Sequence, residues 1–215
     1  MSVAYEGNGV RLQEANDSGD PNDLLITGFI FPDQPNHTIP AFIYKQTKDR
    51  VQQLAASCHV PASSKSSTTP FRVADSNTAG QGLFSVENLS PGSLILSERP
   101  MFVTRADVLI QISKMETFVQ VLFARLPEQD QRTFFNLQNC KSPSETGPLL
   151  GRLLTNGITF TPYPNGPNHA GVFPTLAKCN HSCGPNALAR FNHATWAIEL
   201  RATRAIKTGE EILIS

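Results

Sequence analysis

The chain is predicted to fold as a mainly β protein with a helical insertion, an α+β arrangement. Two observations predict it. Apolar runs of strand length, at residues 24–31, 41–44, 71–74, 83–86, 93–97, 158–160, 187–191 and 196–200, alternate with clusters of Pro, Gly, Asn and Ser. Residues 106–137, lying between two groups of such runs, instead space their apolar side chains as helices do. The 215 residues are enough for one domain with a tail or an insertion, and a 40% apolar share leaves part of the chain loose.

Charge narrows the function classes. Eighteen basic and eighteen acidic residues cancel to a net charge of zero, so nothing global favours nucleic acid, a membrane surface or a strongly charged partner. The four cysteines, Cys58, Cys140, Cys179 and Cys183, are too unevenly spaced for a disulfide framework. A reducing intracellular compartment, nucleus or cytoplasm, is the simpler expectation. No apolar run approaches the roughly 18 residues of a membrane span. The first ten residues lack the basic and apolar regions of a signal peptide.

Taken in order, residues 1–23 are rich in Asn, Asp, Gly and Ser without a period and are expected to be disordered. The runs 24–31 and 41–44, split by Pro32, Pro35 and Pro40, suit strands or patches loosely docked on a domain, and 45–57 has helix-forming composition. PASSKSSTTP at 61–70 reads as a linker, so residues 1–69 form an N-terminal extension. From Phe71 onward short strands flank Ala79-Gly80-Gln81-Gly82, a Pro-Gly turn follows at 91–92, and SLILS at 93–97 reads as buried. Val108, Ile112, Met115, Val119, Leu122 and Leu126 form one apolar helical stripe, which reads as core. Pro127 then suits the first turn of a second helix, 128–137, which has Glu128 and Asp130 near its positive end and should bury Phe134, Phe135 and Leu137. Residues 149–154 read as a short helix and 161–171 as an exposed loop.

The chemistry concentrates in residues 178–186, Lys-Cys-Asn-His-Ser-Cys-Gly-Pro-Asn. Two amides, an imidazole and two thiols with no apolar period make a poor strand and a good ligand-shaped loop. Three readings stay open: a turn holding a buried Cys or two, a zinc site, or a family signature. Cys179, His181 and Cys183 are zinc-type ligands, but a structural zinc takes four, and Cys58 and Cys140 form no CxxC pair. Gly80-x-Gly82 is by itself weak, since glycine pairs mark any tight turn, and it lacks the third Gly and following helix of a dinucleotide fingerprint.

Asn180 to Asn186, N-H-S-C-G-P-N, resembles the NHSCxPN signature of SET-domain protein methyltransferases, especially their SMYD-like branch. Arg204-Ala205-Ile206-Lys207-Thr208-Gly209-Glu210-Glu211-Ile212 resembles the R-x-I-x-x-G-E-E-I/L run of that family. Gly80-Gln81-Gly82-Leu83-Phe84 resembles its G-x-G-L-F opening, and 156–160 loosely resembles the segment before the Asn-His loop. The resemblance covers residues 71–215 in the family's order. It implies a SET-domain fold of short β-sheets with a pseudoknot-like Asn-His loop, over residues 70–215 with a helical insertion at about 105–155.

The activity so implied is methyl transfer from S-adenosyl-L-methionine to a lysine of a protein, histone or not, with no direct role for nucleic acid or membrane. Such an in-line displacement needs both reactants held in near-attack geometry and a neutral amine in a partly dry channel. The resemblance implies cofactor binding by Gly80, Gln81, Gly82, Asn180 and His181. The glycines would let backbone approach the methionine part, the Asn180 amide can donate and accept at the amino-acid end, and His181 would contribute main-chain contacts to adenine. Arg204 reads as a surface charge. The family's Cys at position 183 joins a zinc whose other ligands lie downstream, so zinc is expected only in a longer form, and in this chain Cys183 is expected as a mostly buried free thiol.

The family also has a Tyr directly after the segment that here is Ile212-Leu213-Ile214-Ser215, its hydroxyl beside the departing methyl. The sequence stops at Ser215, and Tyr5, Tyr44 and Tyr163 are misplaced to substitute, so no catalytic residue is named. The expectation is a fragment or truncated gene model of an active enzyme; the alternative is a non-catalytic module that keeps the SET scaffold for binding. A hydrolase using Cys183 with His181 or His193 fares worst, lacking an orienting acid and an oxyanion loop.

Overall fold

The computed structural model describes residues 12–13, 20–56, 58, 69–106 and 112–215. In chain order the elements are β1 (Leu12–Gln13), β2 (Leu24–Phe31), β3 (Gln34–Tyr44), α1 (Lys45–Ala55), β4 (Phe71–Asp75), β5 (Gln81–Ser85), β6 (Leu94–Glu98), β7 (Val103–Arg105), α2 (Ile112–Ala124), α3 (Glu128–Phe135), α4 (Pro148–Asn156), β8 (Gly157–Phe160), β9 (His169–Val172), a 3-10 turn (Leu176–Lys178), β10 (Asn180–His181), β11 (Ala187–Asn192), β12 (Ala197–Ala202) and β13 (Glu211–Ile214). The mainly β class, with four helices among the described residues, is as expected. The chain divides into two compact units, Met1–His59 with Pro100–Val172, and Val60–Arg99 with Phe173–Ser215.

The first unit is built on a six-stranded sheet in the order β1-β2-β3-β7-β9-β8. β2 and β3 form an antiparallel hairpin from Leu24↔Tyr44 to Phe31↔Gln34. β3 starts earlier than its apolar run and passes through Pro35 and Pro40. β7 pairs with β3 only at Ala41 and Phe42, so the stretch before them is an edge, where a proline removes no ladder bond. Helix α2 buries Val119 and Leu122 and stacks Phe118 on Phe42 with ring centroids 4.5 Å apart. Glu116, on the same helix, accepts the Leu149 and Leu150 N–H groups at 3.2 and 2.7 Å, capping α4 with a carboxylate at its positive end.

Several expectations in this unit are corrected. Residues 161–171 do not form an exposed loop throughout: from His169 they enter β9, bonded on both sides by β7 and β8, and His169 is fully buried. The β9 sequence, His-Ala-Gly-Val, carries no apolar run to mark it as a strand, unlike the equally short β8. Phe135 is 45% exposed rather than buried, while Phe134 and Leu137 are buried as expected. The one-sided helix turns Phe135 outward, where Arg152 lies over its ring at 5.1 Å. The expected helix over 106–126 is described as α2; residues 107–111, Val108 included, lie outside the described residues, as do most of 1–23 and of the linker. Among the described residues no helix is long and apolar enough to cross a membrane.

The second unit holds two small sheets, β10-β13-β5-β4 and β11-β12-β6. β4 and β5 pair from Phe71↔Ser85 to Asp75↔Gln81, and β13 adds antiparallel to β5. Leu83, Phe173, Leu176, Leu200, Ile206 and Ile212 form its core. Trp196 is not the first residue of a strand: it sits at φ +50° in the turn before β12 with its ring fully buried. Its ring makes a T-shaped contact with Phe191, centroids 5.6 Å apart.

Candidate functional site

Two sequence stretches a hundred residues apart meet in the second unit. β10 pairs in parallel with β13, Asn180 opposite Leu213 and His181 opposite Ile214, and β13 pairs on its other side with β5. This places the Asn-His loop beside the glycine turn: the Asn180 side-chain Nδ2 donates to the Gln81 carbonyl at 3.2 Å. Gly80, Gln81 and His181 are exposed and Asn180 is half-buried, so the junction faces solvent.

The two glycines do different work. Gly80 has φ +49° and its carbonyl accepts the Ser76 N–H at 2.8 Å, closing the β4–β5 turn. Gly82 is in ordinary extended backbone, yet a Cβ there would lie 2.3 Å from Glu211 Oε1 and 3.2 Å from Ser76 Cβ. Its bare Cα is the space the Glu211 carboxylate occupies. That carboxylate accepts from Asn180 Nδ2 at 2.7 Å, Ser76 Oγ at 2.9 Å and Thr78 Oγ1 at 3.4 Å.

The loop is closed from beneath by Asn186, which is fully buried. Its Oδ1 accepts the Leu213 N–H at 2.8 Å, and its Nδ2 donates to the Glu211 carbonyl at 2.8 Å and Glu210 Oε1 at 3.3 Å. Main-chain bonds from Ser182 to Ile214 and from Thr203 to Asn186 complete the stitching of 180–186 to 203–214, the knot-like arrangement the resemblance implies. Upstream, Glu98 at the end of β6 accepts the Thr175 and Leu176 N–H groups at 2.9 and 3.0 Å and so fixes the turn that enters the loop. Burial pushes the Glu98 carboxyl above its usual range, partly offset by those two donors.

Arg204 is exposed as expected and pairs with Glu210 at 2.7 Å, and this guanidinium holds the Glu210 carboxyl below its ordinary value. Cys183 is corrected: it is exposed, because the loop between His181 and Asn186 turns outward and leaves its side chain uncovered. Its Sγ lies 4.0 Å from His181 Nε2, and no carboxylate orients that imidazole among the described residues, which leaves the hydrolase reading without its parts. Cys179 is the covered thiol. It donates to the Ile212 carbonyl at 3.1 Å, and burial, helped by the Glu211 charge, pushes it up to about 12. Among the described residues no cluster of three or more His, Cys, Asp or Glu could hold a metal. Glu211, Ser76, Thr78, Glu98 and Asn186 carry the junction yet had no role assigned from sequence; only Glu211 and Asn186 lay inside recognisable motifs.

The SET domain family model matches residues 80–215. Histone-lysine N-methyltransferase set5 of Schizosaccharomyces pombe is 25% identical over 146 residues, covering 68% of this chain and 41% of that protein. The chain thus spans about two fifths of that relative's length, 41%. A chain of apo ctPRC2 with mutations in Ezh2 superposes with a TM-score of 0.36 at 16% identity, over 66% of this chain and 14% of that one, too weakly to carry an argument. None of these matches singles out the SMYD-like branch. A family match over most of the chain, on the two motifs that the fold joins through Asn180 and Glu211, makes this chain a member of the SET-domain family.

Proposed function

We propose that this chain forms the cofactor-binding part of an S-adenosyl-L-methionine-dependent protein-lysine methyltransferase. The observation that supports the reading is the Asn180 amide, bonded to Gln81 O and Glu211 at one solvent-facing junction of the two family motifs. On this reading residues 70–215 are the SET part with an insertion at about 105–155, and residues 1–69 are an N-terminal extension. The cofactor supplies an activated methyl on a sulfonium. Gly80, Gln81, Asn180 and His181 bind and orient it, while the buried Gly82 serves the site by giving the Glu211 carboxylate its place. The donor set fits: the Asn180 carbonyl oxygen, with the Glu211 carboxylate held behind the amide, is an acceptor suited to an ammonium, and exposed main chain at Gly80, Gln81 and His181 can take the rest. A zinc does not fit the single exposed Cys183–His181 pair, and no step runs through one. The transfer step is assigned to no side chain here. The partner is a protein lysine, on a histone or another protein, and the compartment is nucleus or cytoplasm.

Titration calorimetry of S-adenosyl-L-methionine into the protein tests this. A saturable heat, weakened roughly tenfold by Asn180→Ala through loss of a charge-assisted contact, is expected; no heat with wild-type protein overturns the reading. A second reading, a non-catalytic SET scaffold that binds a partner, is favoured by Phe135 and Leu154, 45% and 54% exposed on α3 and α4. Retained cofactor binding with no methyl transferred to histone or bulk protein lysines would select it.

A further inference from the structure

Resting on that reading, we infer that Glu211 is a positioning residue that sets the polarity of the cofactor site by fixing which end of the Asn180 amide meets the ligand. An ionised carboxylate can only accept hydrogen bonds. With Glu211 Oε1 at 2.7 Å and the Gln81 carbonyl at 3.2 Å, both neighbours of the Asn180 amide on that side are acceptors. The NH2 group must face them, and both its protons are used. The carbonyl Oδ1 therefore points the other way, and it accepts no hydrogen bond among the described residues. Asn180 is an amide in composition but an acceptor in function. The ligand group it meets is a donor, and the α-ammonium of an amino-acid nucleoside is the donor that chemistry favours; a carboxylate in the same place would face an acceptor oxygen backed by a negative charge.

The carboxylate is itself held in place from three sides. Ser76 Oγ and, more weakly, Thr78 Oγ1 donate to Oε2 from the β4–β5 turn, and the missing Cβ of Gly82 leaves the room in which Oε1 sits, 2.3 Å from where that carbon would be. The glycine of the turn and the glutamate of the last strand thus form one device. Gly82→Ala leaves the backbone unstrained but must push the end of the flexible Glu211 side chain away from Asn180, so it should reproduce the loss of Glu211 without touching the residue.

The test is calorimetry with two ligands, S-adenosyl-L-methionine and its analogue lacking the α-amino group. Wild-type protein should prefer the amine-bearing ligand by at least tenfold. Glu211→Ala frees the amide to turn its NH2 outward, and Gly82→Ala displaces the carboxylate; both should cut that preference to threefold or less, by weakening the amine-bearing ligand more than the des-amino analogue. Glu211→Gln, which can still accept from Asn180 Nδ2, should keep more of the preference than Glu211→Ala. A role in folding alone would weaken both ligands equally and leave the preference intact, which would overturn the inference. So would a wild-type preference that Glu211→Ala does not change. If wild-type protein binds neither ligand, the cofactor reading itself is what fails.

Discussion

Replacing Asn186 by Ala should cost this protein a measurable part of its stability. The side chain is fully buried and makes two bonds to the main chain of β13, Oδ1 from the Leu213 N–H and Nδ2 to the Glu211 carbonyl, both at 2.8 Å. The substitution orphans the Leu213 donor, at about 1–3 kcal/mol, and removes one donor from the Glu211 carbonyl, at about 0.5–1.5 kcal/mol, for a total of about 1.5–4.5 kcal/mol. The longer bond to Glu210 Oε1, 3.3 Å and on a half-exposed group, adds little. At about 2–4 °C per kcal/mol for a chain of this size, the midpoint should fall by about 3–18 °C. The single tryptophan makes the assay specific: Trp196 is fully buried in the same unit, so urea unfolding followed by its fluorescence reports on the unit that holds Asn186. Asn186→Asp sharpens the result. It keeps the acceptor for Leu213 but sets a carboxylate against the Glu211 carbonyl and Glu210, so its folded pKa is raised, and the stability it retains at acid pH should be lost as pH rises. A loss below about 1 kcal/mol for Asn186→Ala, or an Asp variant insensitive to pH, would refute the view that this one amide stitches loop to strand.

Other outcomes follow from the same geometry. Burial holds Glu98 above its ordinary value of 4.5, so the protonated form is favoured in the folded state; stability should fall as pH rises from about 4.5 through the raised folded value, and Glu98→Gln should flatten that dependence in pH-series melts. A wild-type profile without that slope would show that the two N–H donors fully offset burial. Cys179, pushed up to about 12, should resist iodoacetamide at pH 8 while exposed Cys140 and Cys183 are alkylated; equal labelling of Cys179 by mass spectrometry would contradict its burial.

Much of the secondary structure was legible in the chain itself. Residues 24–31, the strands on either side of the glycine turn and the helices α1, α3 and α4 stand within a few residues of where pattern and turn chemistry put them, since each carries its own period or its own breaker. Strands β7 and β9 were invisible because Val-Thr-Arg and His-Ala-Gly-Val carry no apolar run of the kind that marks the equally short β8, and because their pairing comes from distant partners. Phe135 and Cys183 went the wrong way for a related reason: a side chain's burial depends on what covers it, which local composition does not state.

The site divides along the same line. Sequence alone determined the family signature, the residue types of the Asn-His loop and the order of the two motifs. Only the tertiary structure decided that Gly82 is bare to make room for Glu211, that Glu211 orients Asn180, and that Asn186 faces inward while Cys183 faces out. The physical reason is range: a turn or a helical stripe is set by neighbours a few residues away, whereas a carboxylate's partners here stand 31, 133 and 135 residues off, where no local pattern reaches.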